Sequence, residues 1–269
     1  MTNPLIPLAI CGAAGRMGRR LIALALEEQP RRFALVAAAD AAASPFIGRD
    51  AGQLAGGGDA GVMIAATITG KPRVAIDFSV PAATRALIPF AVENNIALIV
   101  GTTGLTADDH ALIDSAARTI PIMQATNTSL GVNLLFQVAA QIAQKLGPDY
   151  DIEIVEAHHN QKKDAPSGTA LSLAESIVAA TGRSMEQDIV YGRHGGEAKR
   201  VPGSIGMHAV RMADVVGEHT IYYATAGERI ELKHVASTRD TFVRGALRAA
   251  EWIATQEPGR YSMKDVLGL

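Results

Sequence analysis

The 269-residue chain lacks several features that would place it outside the ordinary globular class. Its single cysteine, Cys11, can form neither an intramolecular disulfide nor a thiolate zinc cluster, so we expect a reducing, cytoplasmic compartment. Lys and Arg number 25 against 27 for Asp and Glu, and the resulting net charge of -2 gives no general attraction to nucleic acid or an anionic membrane. No stretch reaches the length of a membrane span. With 48% hydrophobic and 19% charged residues, the chain has the composition to bury a core.

The first half alternates short apolar runs with segments of helical period, the pattern of βαβ units on a parallel sheet. The predicted strands are 5–11, 34–39, 74–78, 97–100 and 122–125. The predicted helices are 17–28, 82–94 and 106–118, with Ser79 as N-cap of the middle helix and Pro81 in its first turn. We therefore expect a Rossmann-type parallel-sheet domain.

The second half has a different pattern. Helices are predicted at 132–145, 169–181 and 241–255, and strands at 151–157, 207–213, 218–224 and 230–237. Val216-Gly217 and Ala226-Gly227 predict hairpin turns between antiparallel neighbours, and glycine-rich 182–206 predicts a long loop. The predicted fold class is α/β: one domain of residues 1–127 completed by 238–269, and an α+β domain of residues 128–237 with a mixed or antiparallel sheet.

A glycine-rich turn links the first predicted strand to the first helix. It contains the candidate cofactor residues Gly12, Ala13, Ala14, Gly15, Arg16 and Met17, followed by Gly18. Glycines let a backbone approach a pyrophosphate at a helix N-terminus, although such turns also serve tight packing, and the spacing here is G-x-x-G-x-x-G. Arg16 is either a cation near the phosphates or a solvated residue of the first turn.

Further candidate cofactor residues follow other strands at their carboxyl ends. Asp40 comes about 20 residues after the glycine turn, where a carboxylate accepts hydrogen bonds from ribose hydroxyls, unless it is an ordinary turn aspartate. Two later turns also follow strands, and each either borders the nicotinamide or has only the structural role of a turn with an N-cap. Their residues are Gly101, Thr102, Thr103, Ala125, Thr126, Asn127 and Thr128. The combination favours a dinucleotide site, with nicotinamide preferred over flavin.

The segment 154–170 carries the densest group of reactive side chains. A predicted strand ends in His158 and His159, and a short loop then carries Lys162 and Lys163. Histidine can transfer protons near neutral pH, and either lysine can supply a positive charge opposite an anionic substrate. In the alternative interpretation, the histidines only end a strand and the lysines form a solvated face. Adjacent histidines point to opposite sides of a strand and no third ligand has suitable spacing, so no metal site is expected.

A Pro-Ser-Gly-Thr turn at 166–169 begins the next predicted helix. The free N–H groups of a helix start, together with the Ser167 and Thr169 hydroxyls, predict a site for a carboxylate or phosphate. Serine hydrolysis is not favoured, because Ser167 lacks the flanking glycines of a nucleophile elbow. The residues thus indicate an anionic substrate.

The segment Glu156-Ala157-His158-His159, followed by Lys162 and by 164–170, resembles the signature of bacterial and plant dihydrodipicolinate reductases, also called 4-hydroxy-tetrahydrodipicolinate reductases. The resemblance extends through 12–18, 76–78, 101–104, 201–203 and 216–220, and so covers essentially the whole chain. It implies homotetramers in which a Rossmann domain binds NAD(P)H and a second domain binds a small cyclic dicarboxylate. The implied reaction is reduction to tetrahydrodipicolinate in the diaminopimelate route to lysine.

The resemblance also implies roles for individual residues. His158 is the implied proton donor and acceptor, Lys162 a proton donor, and His159, Gly168 and Thr169 hold the substrate. Reasoning from the residues alone does not distinguish the two histidines.

The cofactor pattern departs from part of the family. Some members have an arginine for the 2′-phosphate after the acidic residue, whereas here alanines follow Asp40. We therefore expect a preference for NADH over NADPH, with dual use left open because Arg16 or another basic residue could compensate. The alternatives to a reductase of this family are another two-domain NAD(P) dehydrogenase and a non-catalytic NAD(P)-sensing regulator.

Overall fold

A computed structural model describes residues 4–269. The chain forms two compact units: one holds the chain up to Leu130 together with Asp240–Leu269, and the other holds Gly131–Arg239. In chain order the elements are β1 (Ile6–Cys11), α1 (Arg16–Glu27), β2 (Phe33–Ala39), α2 (Ala51–Leu54), β3 (Ile64–Ala65), β4 (Val74–Asp77), α3 (Pro81–Glu93), β5 (Ala97–Val100), α4 (Ala107–Ala116), β6 (Pro121–Gln124), α5 (Leu130–Leu146), β7 (Asp151–His158), α6 (Gly168–Thr181), β8 (Ile189–Tyr191), β9 (Ile205–Arg211), β10 (Gly217–Thr225), β11 (Glu228–Ala236), α7 (Asp240–Ile253), β12 (Gly259–Tyr261) and α8 (Met263–Leu267).

The first unit is built on a seven-stranded parallel sheet in the order β12-β6-β5-β4-β1-β2-β3. Its central strands β4 and β5 are buried along their whole length, as expected where helices cover both faces of a parallel sheet. Alternate strand residues face opposite sides: Leu8 and Ile10 pack in the core with α1 and α7, whereas Ala9 packs in the core with α3 and α4. The predicted Rossmann-type parallel sheet is therefore confirmed.

The predicted strands and helices of the first half are all present, and no end is shifted by more than two residues. The N-cap of α3 is Val80, however, and the prediction of Ser79 is wrong, although Pro81 does occupy the first turn. The reason is a neighbouring acid: Asp77 accepts hydrogen bonds from the Ser79 N–H at 3.1 Å and from the Thr84 hydroxyl at 2.6 Å. Asp77 therefore fixes the start of α3, and a serine cap is not used.

The second unit has a five-stranded mixed sheet in the order β11-β10-β7-β9-β8, with α5 and α6 packed against it in one core. The Ala226-Gly227 hairpin is confirmed, because β10 and β11 pair antiparallel around it. The Val216-Gly217 hairpin is wrong, because β9 pairs parallel with β7 and β10 pairs antiparallel with the other edge of β7. The predicted loop 182–206 also contains β8, whose three residues are too short to show a period of two.

Several short elements of the first unit, namely α2, β3, β12 and α8, have no counterpart among the predicted strands and helices. Each has between two and five residues, too few for a helical or strand period to emerge. Within residues 4–269, no helix is both long enough and apolar enough to cross a membrane.

Candidate functional site

The candidate cofactor residues lie after β1, β2, β5 and β6, and these strands are parallel, so their carboxyl ends share one edge of the sheet. A cavity of about 720 Å³ opens at this edge. Gly12, Gly15 and Asp40 line it together with apolar side chains that include Ile68 and Leu87. Its volume falls in the range of cofactor sites, and its apolar wall suits an adenine ring.

The backbone of the glycine turn explains its residue types. Gly12 has a φ of +76°, and a Cβ there would lie 2.6 Å from the carbonyl oxygen of Phe78. A Cβ at Gly18 would lie 2.1 Å from the carbonyl oxygen of Gly12, so Gly18 serves the tight packing of α1 against the turn. Gly15 is the N-cap of α1 and has no side-chain cap. The turn therefore brings bare backbone to a helix start, which fits a pyrophosphate.

Asp40 is tied to the glycine turn. Its Oδ2 accepts a hydrogen bond from the Ala14 N–H at 2.6 Å, and its Oδ1 accepts one from the Ala41 N–H at 2.8 Å. The first bond crosses from the end of β2 to the turn after β1, which an ordinary turn aspartate would not do. Since a carboxylate has about four acceptor positions, these two bonds leave capacity for ribose hydroxyls. The turn and Asp40 together fit the ribose and phosphates of a dinucleotide.

In the turn after β5, Gly101 and Thr102 pack against or hydrogen-bond to neighbouring protein residues. A Cβ at Gly101 would lie 2.4 Å from the Phe78 ring. The buried hydroxyl of Thr102 donates to Asp77 Oδ2 at 3.2 Å, whereas Thr103 is exposed. Any contact of this turn with a cofactor would therefore be made by its backbone or by Thr103.

In the turn after β6, too, some of the candidate residues have structural roles. The Thr128 hydroxyl is buried and donates to the carbonyl oxygen of Phe242 in α7 at 2.6 Å. The side-chain oxygen of Asn127 accepts a hydrogen bond from the Ser129 N–H at 2.9 Å. Ala125 is half-buried and Thr126 is exposed. Two of the four predicted cofactor residues in this turn thus use their side chains to hold the turn itself.

In the second unit, His158 ends β7 and pairs with an acid two residues earlier on the same face of the strand. Its Nδ1 lies 2.6 Å from Oε2 of Glu156, whose side chain is fully buried. The ionised carboxylate accepts only, so Nδ1 carries the hydrogen and Nε2 is the nitrogen left for proton transfer. His159 is less buried than His158. The structure therefore distinguishes the two histidines, which the sequence did not.

Glu156 stays ionised because several donors surround it. Burial opposes its charge, but hydrogen bonds from His158, from Arg211 and from the Ser167 N–H outweigh burial and lower the pKa of Glu156 to about 2. Arg211 bonds both carboxylate oxygens at 2.8 Å, and the Ser167 N–H donates to Oε1 at 3.0 Å. A fixed negative charge thus lies behind the imidazole.

Lys162 is the better placed of the two candidate lysines. Its Nζ lies 2.8 Å from Oδ1 of Asp164, and this bond lowers the pKa of Asp164. The Lys162 side chain is 21% exposed, whereas Lys163 lies at the surface. Because the Asp164 carboxylate is itself 59% exposed, the ion pair is a weak one that another anion can replace.

The start of α6 is the candidate anion-binding part of the site. Ser167 is the N-cap, and its hydroxyl accepts from the Ala170 N–H and lies 3.2 Å from Nε2 of His219. Gly168 and Thr169 are the first residues of the helix. A Cβ at Gly168 would meet no atom within 4 Å, so the space beside this backbone is open to a ligand.

His219 lies behind Ser167 and was missed by the sequence analysis. Burial lowers the pKa of His219 to about 3, so the ring is neutral. It contacts His158 edge to face, with ring centroids 5.2 Å apart. Among the described residues, no group of three or more His, Cys, Asp or Glu side chains could hold a metal ion.

We predict that Glu156→Gln flattens the acid dependence of stability. A carboxyl group with a folded-state pKa lowered from 4.5 to about 2 stabilises the fold above pH 4.5, and that stabilisation is lost as the pH falls towards 2. Its size is on the order of 3 kcal/mol. Urea unfolding between pH 5 and 2 should show a smaller loss for Glu156→Gln than for wild type. The control is the exposed Glu175→Gln, and equal slopes for all three proteins would contradict the assignment.

Comparisons with known proteins agree with this geometry. The family models "Dihydrodipicolinate reductase, N-terminus" and "Dihydrodipicolinate reductase, C-terminus" match residues 6–128 and 131–267. Proteins named 4-hydroxy-tetrahydrodipicolinate reductase from Alkalilimnicola ehrlichii and Magnetococcus marinus are 48% and 46% identical to the chain, covering 97% and 98% of it and 98% of each relative. A dipicolinate-bound dihydrodipicolinate reductase from Paenisporosarcina sp. TG-14 has a similar fold, with a TM-score of 0.76 at 22% identity, covering 96% of this chain and 98% of that one. The chain therefore belongs to the dihydrodipicolinate reductase family.

Proposed function

We propose that the protein is an NAD(P)H-dependent oxidoreductase that reduces 4-hydroxy-tetrahydrodipicolinate, via dihydrodipicolinate, to tetrahydrodipicolinate in diaminopimelate and lysine biosynthesis. The observation that carries the proposal is the buried Glu156–His158 pair, which shares one strand-loop-helix segment with Lys162 and the open start of α6. That segment provides a proton donor, a cation and a carboxylate site. Family membership supports the same reaction.

The first unit holds the dinucleotide in this proposal. Asp40 accepts hydrogen bonds from the ribose, and the turn from Gly12 to Met17 with the start of α1 binds the phosphates. The turns 101–103 and 125–128 border the nicotinamide. The bound cofactor supplies the hydride, and the protein residues bind and orient it.

The second unit holds the dicarboxylate. The backbone N–H groups of Gly168 and Thr169, with His159, bind its carboxylates at the helix start. Hydride addition to the electron-poor ring leaves an enamine-like anion, which takes up a proton at the neighbouring carbon. His158 delivers that proton from Nε2 while Glu156 holds Nδ1 and stabilises the imidazolium. Lys162 stabilises the developing negative charge and is the alternative donor of that same proton.

We predict that wild type oxidises NADH or NADPH when the substrate is generated in situ from pyruvate and aspartate semialdehyde by its synthase. His158→Ala and Lys162→Ala should each lower kcat by about 100-fold or more, because general acid catalysis contributes on that scale. Matched controls are His194→Ala and Lys163→Ala, both at exposed positions, and these should retain activity. Loss of nicotinamide absorbance measures turnover, and NADH titration checks the first unit. Wild-type NADH binding without turnover would contradict the reductase and favour a sensor.

We propose that NADH is preferred over NADPH. Asp40 would repel a 2′-phosphate, and alanines follow it in the chain. The proposal includes use of NADPH as well as NADH, because Arg19 places a cation at the same turn. Its Nε donates to the carbonyl oxygen of Ala14 at 2.7 Å.

The test of this preference is the ratio of kcat/KM for the two cofactors. Asp40→Asn should lower the NADH to NADPH ratio by about tenfold, or 1.4 kcal/mol, because the repulsion is removed and a ribose acceptor is weakened. The exposed Asp59→Asn is the control. A wild-type ratio that favours NADPH by about tenfold would refute the preference.

We also propose that the protein is a cytoplasmic homotetramer assembled through its second unit. That unit exposes many large apolar side chains: Leu134, Tyr191, Val201, Val210, Met212, Ile230 and Val235. Exposed apolar surface of this kind is typical of subunit interfaces. Light scattering on the purified protein should give four times the 28.2 kDa chain mass, and a monomer or dimer at micromolar concentration would contradict the proposal.

A further inference from the structure

We propose that Arg211 is a positioning residue that orients both proton-transferring groups, His158 through Glu156 and Lys162 through the backbone of Asp164. The inference rests on the function proposed above and concerns how its acid and its cation are held. Arg211 lies outside the 154–170 segment, and its place in the site is visible only in the folded chain.

Sheet pairing brings Arg211 to the site. It is the last residue of β9, which runs parallel to β7, and the register places it beside His158 at the end of that strand. The guanidinium reaches Glu156 with both terminal nitrogens, Nη1 to Oε2 and Nη2 to Oε1, each at 2.8 Å. This bidentate geometry fixes the plane of the carboxylate as well as its position.

The carboxylate has no freedom to rotate once these bonds are formed. Glu156 accepts four hydrogen bonds: two from Arg211, one from His158 Nδ1 and one from the Ser167 N–H. A carboxylate offers about four acceptor positions, so all are used. The direction of the His158 ring, and hence of its Nε2, follows from where Arg211 holds the carboxylate.

A second bond extends the same control to the lysine. Arg211 Nη2 also donates to the carbonyl oxygen of Asp164 at 2.7 Å, and the Asp164 carboxylate pairs with Lys162 Nζ at 2.8 Å. An ion pair this exposed is weak by itself and holds a lysine poorly. Arg211 links the backbone of Asp164, and with it the Lys162–Asp164 ion pair, to the buried network around Glu156.

Only arginine has the donors for this task. Nη1 donates to Glu156 and to the carbonyl oxygen of Val210, and Nη2 donates to Glu156 and to the carbonyl oxygen of Asp164, so all four terminal hydrogens are used. A lysine ammonium at 211 is a point charge with three donors and cannot reproduce the fork. Arg211→Lys therefore keeps the charge but loses the geometry.

The test compares Arg211→Met, Arg211→Lys and Arg193→Met with wild type. Arg193 is a matched control, because it forms a bidentate pair with Glu153 on the opposite face of β7 and its side chain is 21% exposed against 20% for Arg211. Both changes at 211 should lower kcat by about 100-fold, the scale of a misplaced catalytic group, with KM for NADH unchanged. Dipicolinate binding should be retained in both variants, because Arg211 is neutralised by Glu156 and offers no free charge to the ligand.

Other outcomes are decisive as well. Wild-type kcat in Arg211→Lys, or equal losses of kcat in Arg211→Met and Arg193→Met, would overturn the positioning role. If Arg211→Met does not fold, Arg211→Lys decides: loss of kcat with dipicolinate and NADH binding retained supports the role, and loss of dipicolinate binding in parallel with kcat overturns it. Absence of turnover in wild type would contradict the proposed function instead, so the two failures are distinguishable.

Discussion

The site of the second unit depends on one buried negative charge. A carboxylate out of contact with water is stable only if charged and hydrogen-bonding partners replace the solvent. Glu156 meets this requirement with donors from three separate pieces of chain: His158 on its own strand, Arg211 on the neighbouring strand, and the Ser167 N–H at the start of α6. The bonds that orient the imidazole therefore also join β9 and α6 to β7. Removing one partner of such a network lowers the free energy of unfolding by about 3–5 kcal/mol.

The first unit contains a buried acid with a related structural duty. Asp77, at the end of β4, is fully buried and accepts from Ser79, from Thr84 in α3 and from Thr102 in the turn after β5. Asp77 thus connects the loops that follow the adjacent strands β4 and β5. In both units an acid at or near the carboxyl end of a central strand thus holds loops in place, whereas Asp40, which is only half-buried, keeps acceptor capacity for a ligand.

The sequence was informative wherever the signal was local. The strand-turn-helix around Gly12, the strands of the parallel sheet and the 154–170 segment are each encoded by neighbouring residues. Glu156 could have been assigned its role, because residues two apart on a strand face the same side and His158 follows at that spacing. Arg211 had no such signal, since its partnership depends on the β7–β9 register, and the wrong hairpin at Val216-Gly217 would have placed β9 elsewhere.

In the proposed substrate site, an anionic ligand would be bound by residues that already have partners. Arg211 is neutralised by buried Glu156, and His219 is kept neutral by burial, so neither offers charge to a ligand. Lys162 differs because its partner Asp164 is 59% exposed. Exchanging that carboxylate for a ligand carboxylate costs little, because a solvated aspartate returns to water while the buried network stays intact. The buried pair thus supplies orientation, and the exposed pair leaves Lys162 available to the ligand.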